Sequence, residues 1–137
     1  LENVFRVVIN SVLSVEMNRD WWERAVDQET RKTVEWFRKQ YSKQMWRSNP
    51  GKHGLYYVSL GDLNEIMRVH ANLLSKVIPE IDEWLIRIDK LRIPRNTVAH
   101  MNYPVRADLD LIDELYELSR GLVPMLEKKN IKPVIPL

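Results

Sequence analysis

Arg95, Asn96 and His100 are residue types that can act together on a phosphodiester. Arginine is a permanent cation whose planar donor fork fits phosphate oxygens. Histidine gives or takes a proton near neutral pH. Asn96 lies four residues before His100, so on a helix the two share a face and the amide can fix the imidazole tautomer. Arg95 and His100 are five apart, which on an ideal helix is about 7.5 Å of rise and roughly 140° of rotation. They converge on one spot only if the helix kinks or ends there, or if a second copy of the chain completes the site.

The surrounding residues predict such a break. Pro94 lacks an N–H and disfavours helical geometry at Ile93. Tyr103-Pro104 stops whatever helix carries His100. The spacing alone is not specific: with twelve arginines and three histidines in the chain, a match arises by chance on the order of once. A second pair, Arg47 and His53, brackets the loop-forming run Ser48-Asn49-Pro50-Gly51-Lys52 and reads as a decoy. The first pair is set apart by its company, with Asn96 directly after the arginine and Ala99 directly before the histidine.

The elements that must position these residues read as helices. Residues 2–17 carry Phe5, Val8, Ile9, Val12 and Leu13 at amphipathic spacing. Asp20 is placed to cap a short turn through Val26, and Asp27 to cap a helix over 28–46 with Val34, Phe37, Tyr41 and Met45 inward. Tyr56-Tyr57-Val58 reads as a short extended piece. Ser59 and Asp62 resemble a capping box for a helix running to Val77. Pro79 fits the first turn of the next helix, which uses Ile81, Trp84, Leu85 and Ile88 and leads into the motif. Asp108 caps a last helix through Ser119, which Gly121 and Pro124 interrupt. The expected fold class is all-α, a bundle of about five helices over residues 1–127, with 128–137 an extended tail.

Composition narrows the class. The chain has 137 residues, 45% of them hydrophobic and 29% charged, which fits one globular domain with room for a core. No apolar run is long enough to span a membrane, so no membrane partner is expected. There is no cysteine and no signal-peptide pattern, which fits a reducing, cytoplasmic compartment. The chain begins at Leu1 rather than Met and reads as one domain of a longer protein. Glu80, Asp82 and Glu83 cluster without a histidine at ligand spacing, so no metal and no cofactor are expected.

The net charge of +2 is unevenly spread. Arg31, Lys32, Arg38, Lys39, Lys43, Arg47 and Lys52 face Glu35 alone, whereas Asp108, Asp110, Asp113, Glu114 and Glu117 make the later helix acidic. This suggests one face for a polyanion; two solvated faces of opposite sign is the plainer alternative. Trp36 and Trp46 lie among the cations, where bases could stack or packing could bury them. Trp21 and Trp22 read as core or interface bulk. His70 shares a stripe with Met67 and Leu74 and reads as a satisfied core or interface residue, the alternative being a groove near His100. His53 reads as solvent-exposed in its loop.

The run Arg95-Asn96-x-x-Ala99-His100 resembles the R-polar-x-x-x-H signature of the HEPN superfamily, helical domains many of which are metal-independent endoribonucleases. Asp20-Trp21-Trp22 and Tyr57-Val58-Ser59-Leu60-Gly61-Asp62-Leu63 are similar to the branch at the C terminus of a nuclear transcript-surveillance endonuclease and in bacterial multidomain defence proteins. The resemblance implies that Arg95 and His100 are the active pair, with Asn96 their polar neighbour. The expected substrate is then RNA, contacted also by Lys39, Lys43, Arg47 and Trp36. Proton removal from a ribose 2′-OH by His100 would let it attack phosphorus, while Arg95 offsets charge on the phosphoryl oxygens. Because the pair diverges on a regular helix, a homodimer with two motifs in one groove is expected, as the resemblance also implies. The alternatives are a catalytically silent HEPN domain that binds RNA or protein and dimerises, and a structural helical adaptor.

Overall fold

The apolar spacing at the start of the chain produces α1 (Glu2–Met17), which buries Phe5, Val8, Ile9, Val12 and Leu13 at 1% exposure or less. The computed structural model describes residues 2–43, 51–99 and 105–136, and no strand occurs among them. After α1 come α2 (Trp21–Ala25), α3 (Gln28–Ser42), a 3-10 turn (Gly54–Tyr57), α4 (Leu60–Val69), α5 (Ala71–Leu74), α6 (Ile81–Ala99), α7 (Arg106–Ser119) and α8 (Leu122–Lys128). The architecture is an all-α bundle. Five of these helices have ten or more residues, matching the expected number of principal elements.

Helix α1 is the hub, packed against α8, α5 and α2. Its buried polar residues bind the rest of the chain to it. Arg6 Nε donates to the Leu55 carbonyl at 2.8 Å, Asn10 Oδ1 accepts from Trp21 Nε1 at 3.0 Å, and Asn10 Nδ2 donates to the Val134 carbonyl at 3.0 Å. Ser11 Oγ accepts from Val134 N at 2.7 Å. Satisfying these groups matters because an unpaired buried polar group costs roughly 1–3 kcal/mol. The segment after α8 has no regular structure over 131–136, but it lies on α1 through Val134 and reaches Tyr56, whose hydroxyl donates to the Pro136 carbonyl at 2.8 Å.

The helix boundaries follow local chemistry, with several departures from expectation. Asn18, at φ 69°, ends α1 in the left-handed conformation asparagine tolerates. Asp27 caps α3 by accepting from Thr30 N at 2.8 Å, and Ser59 Oγ caps α4 by accepting from Asp62 N at 3.0 Å. Asp20 occupies the N-cap position of α2 but makes no capping bond. Helix α3 ends at Ser42 rather than 46; Met45, Trp46 and Arg47 lie outside the described residues. Tyr56 and Tyr57 belong to a 3-10 turn, not an extended piece. The helix expected to reach Val77 breaks at His70, which takes φ −104° and ψ 24° between α4 and α5. Pro79 lies outside α6, and Glu80 turns the chain into it at φ 57°. Asp108 is the third residue of α7, and its carboxylate accepts from Val105 N at 3.3 Å. Gly121 precedes α8, while Pro124 sits inside its first turn, where a missing N–H costs nothing.

Candidate nucleic-acid interface

Helix α6 carries Arg95 to its place. Ile81, Trp84, Ile88, Leu91 and Pro94 are buried at intervals of three and four along it. Pro94 cannot donate to the Lys90 carbonyl, yet the helix does not end there and runs on to Ala99. Pro94 instead continues the buried stripe, and Arg95 emerges beside it, 45% exposed. Asn96 follows on the same helix, and its side chain is outside what is described, as are His100, Tyr103 and Pro104.

Arg95 lines a groove of about 230 Å³ between α1, α3, the 3-10 turn and α6. Its walls are aromatic: Phe37 and Tyr41 from α3, and Tyr56 and Tyr57 from the turn. Phe37 and Tyr41, expected in the core, are 41% and 40% exposed, and of the expected stripe on described residues only Val34 is buried. Among the described residues α3 packs chiefly on the 3-10 turn, and Phe37 and Tyr41 face the groove instead of the core. Tyr41 meets Tyr57 edge-to-face at 5.6 Å. Burial pushes the Tyr57 hydroxyl above its ordinary 10, keeping it a neutral donor to the Gly51 carbonyl at 2.6 Å.

Charge at the groove centres on Glu2. Its Oε2 accepts from Arg6 Nη2 and its Oε1 from Arg95 Nε, both at 3.1 Å. Two guanidiniums thus share one carboxylate, leaving an excess of positive charge where a phosphate can approach. Arg6 is fixed by Leu55 and Asn3 as well, so Arg95 is the arginine free to turn toward a ligand.

Of the other expected contact residues, Trp36 and Lys39 lie on α3 and Lys43 at its C-cap, none of them in the groove wall. Trp36 is 57% exposed and meets Phe37 edge-to-face at 5.0 Å. Lys39 and Lys43 are exposed, and Arg47 lies outside the described residues. Glu2, Phe37, Tyr41 and Tyr56 were not singled out as site residues from sequence. A signal existed: α3 has aromatic residues at helical spacing but, besides Val34, no aliphatic ones to make a core stripe.

Two histidines are accounted for. His70, half-buried, has Nε2 at 3.3 Å from the Ala25 carbonyl. His53 is not exposed as expected: it sits 5.5 Å from the Trp21 ring and 5.6 Å from the Trp22 ring, and its Nδ1 accepts from Leu55 N at 3.1 Å. Burial first, and the Arg38 charge second, pull its pKa below the ordinary 6.5, so the ring is held neutral with its proton on Nε2. Among the described residues no cluster of three potential metal ligands occurs, and no helix is long and apolar enough to cross a membrane. No family model, curated protein or solved structure matches the chain.

Proposed function

We propose that the chain is a metal-independent endoribonuclease of HEPN type. RNA lies in the groove with Arg95 on a phosphate, and His100 takes the 2′-OH proton. The 2′ oxygen then attacks phosphorus and expels the 5′ oxygen, leaving a 2′,3′-cyclic phosphate and a 5′-OH. The observation that carries this reading is the placement of Arg95 in an aromatic groove. Unpaired bases stack on aromatic rings regardless of sequence, at about 1–3 kcal/mol per base, and the arginine fork holds the backbone between them. The working unit is a homodimer in which two copies of the motif supply both an acid and a base.

A second reading, a silent HEPN domain that binds RNA or protein, is favoured by the Glu2–Arg95 ion pair, which occupies the arginine's Nε. Incubating the chain with RNA in EDTA separates the two. The nuclease reading expects cleavage by the wild type and none by His100→Ala or Arg95→Ala. Binding with no cleavage selects the silent domain. Mixing Arg95→Ala chains with His100→Ala chains tests the composite site: partial recovery is expected of a shared groove. Cleavage by a chain that sediments as a strict monomer rules it out.

A further inference from the structure

A second concavity uses a neighbouring face of α3, the one that carries Arg31, Val34, Glu35 and Arg38. It has a volume of about 370 Å³ and is bounded by α2, α3 and the segment that leads into the 3-10 turn. That size is within the usual range for small-ligand sites. Arg31 and Arg38, a helical pair seven apart on α3, reach it from one wall. Their guanidinium Nε atoms are both buried with no hydrogen-bond partner among the described residues. Two such atoms on neighbouring side chains of one wall are unusual, since buried donors are nearly always paired. His53 lies on the opposite wall with its one proton on Nε2, anchored by Leu55 N and wedged between Trp21 and Trp22. Gly54 is required next to it, because any Cβ there would strike the Trp22 ring.

We propose that this cavity is a phosphate-binding site, with Arg31, Arg38 and His53 as its donors and Lys52 and Arg19 at its rim. Its occupant is a phosphate group, carried either by a free nucleotide or by an RNA backbone. The acidic residues of the lining do not cancel the cations. Four cations (Arg19, Arg31, Arg38, Lys52) stand against three carboxylates (Asp20, Glu23, Glu35). Of these, Glu35 accepts from Arg38 Nη1 at 2.9 Å, and Asp20 lies 4.0 Å from Arg24, which is outside the lining. Glu35 therefore holds the Arg38 guanidinium in place at the wall of the cavity. Phosphate binding here does not depend on cleavage at Arg95, since the two sites share no lining residue.

The test is a titration of the full chain with inorganic phosphate, read by NMR at the His53 ring and the Trp22 indole and by calorimetry. Saturable binding that moves both signals is expected. Arg31→Gln should weaken it about tenfold or more, the usual loss when a charged hydrogen bond is removed. Arg38→Lys keeps the charge but loses the fork, and should weaken it as well. Competition by a 5′-mononucleotide assigns the phosphate to a free nucleotide, and competition by an RNA oligomer alone assigns it to the backbone. Unmoved His53 and Trp22 signals, or affinity unchanged in both variants while their folds are intact, would overturn the proposal.

Discussion

Helices α1 and α3 have nearly equal lengths, sixteen and fifteen residues, and opposite roles. Helix α1 buries eight residues, three of them polar, whereas α3 buries Val34 alone. Both are amphipathic by spacing. The difference is what fills the apolar positions. Aliphatic side chains on α1 interlock with α5 and α8, and its polar residues each find a partner from a distant segment. Aromatic and cationic side chains on α3 are left half-exposed along the groove and the Arg31–Arg38 cavity. One helix holds the fold, and the other presents chemistry.

Stability should separate the two most sharply. Ile9→Ala on α1 should cost about 2–5 kcal/mol, as large-to-small changes in a sealed core do. Trp36→Ala on α3 should stay within about 0.5 kcal/mol. Urea unfolding of both variants checks this; similar losses of stability at the two positions would erase the distinction between the helices.

Binding should separate them the other way. Tyr41→Ala should weaken RNA binding by about 1–3 kcal/mol if the ring stacks on a base, with Phe37→Ala similar. Reversing Lys39, Lys43 and Arg47 to glutamate should flatten the salt dependence, by roughly 0.7 in log–log slope for each single-strand phosphate that is no longer neutralised. An unchanged slope would make these charges a solvated face.

Much of this division was legible in sequence, and the part that was not has physical causes. The register of α1, the Asp27 and Ser59 caps and the burial of Trp21 follow from local spacing and side-chain chemistry. Helical period places Phe37 and Tyr41 in the core, yet both are exposed, because period identifies an apolar stripe without saying whether another element covers it. His53 lies in a stretch that composition marks as a loop, yet packing against Trp21 and Trp22, some thirty residues away, buries it. Pro94 points to a kink or an end, yet the helix continues past it with Pro94 buried in the stripe that Leu91 also joins. The Glu2–Arg95 pair joins residues ninety-three apart, a separation no local pattern reveals.

Smaller effects are expected at Glu2 and His53. Glu2→Gln should raise RNA affinity a fewfold, because it removes the carboxylate charge that competes with phosphate for Arg95; since Glu2 also pairs with the buried Arg6, some loss of stability should accompany the gain. Filter binding at fixed salt measures this. His53 adds a pH dependence. Its folded pKa lies below the unfolded 6.5, so the unfolded chain binds the proton more readily. Stability from His53 is therefore complete above about 6.5 and declines as pH falls below it, levelling once the folded ring is protonated. His53→Gln should remove that part of the acid slope in denaturant midpoints.

Whether α3 and α6 together form a nuclease groove is decided by the ends of RNA fragments made in EDTA by wild type, Arg95→Ala and His100→Ala chains. Wild type should leave 2′,3′-cyclic phosphate and 5′-OH ends, and both folded variants should leave the RNA intact. Full cleavage by His100→Ala, or wild-type cleavage that EDTA abolishes, would contradict the nuclease assignment.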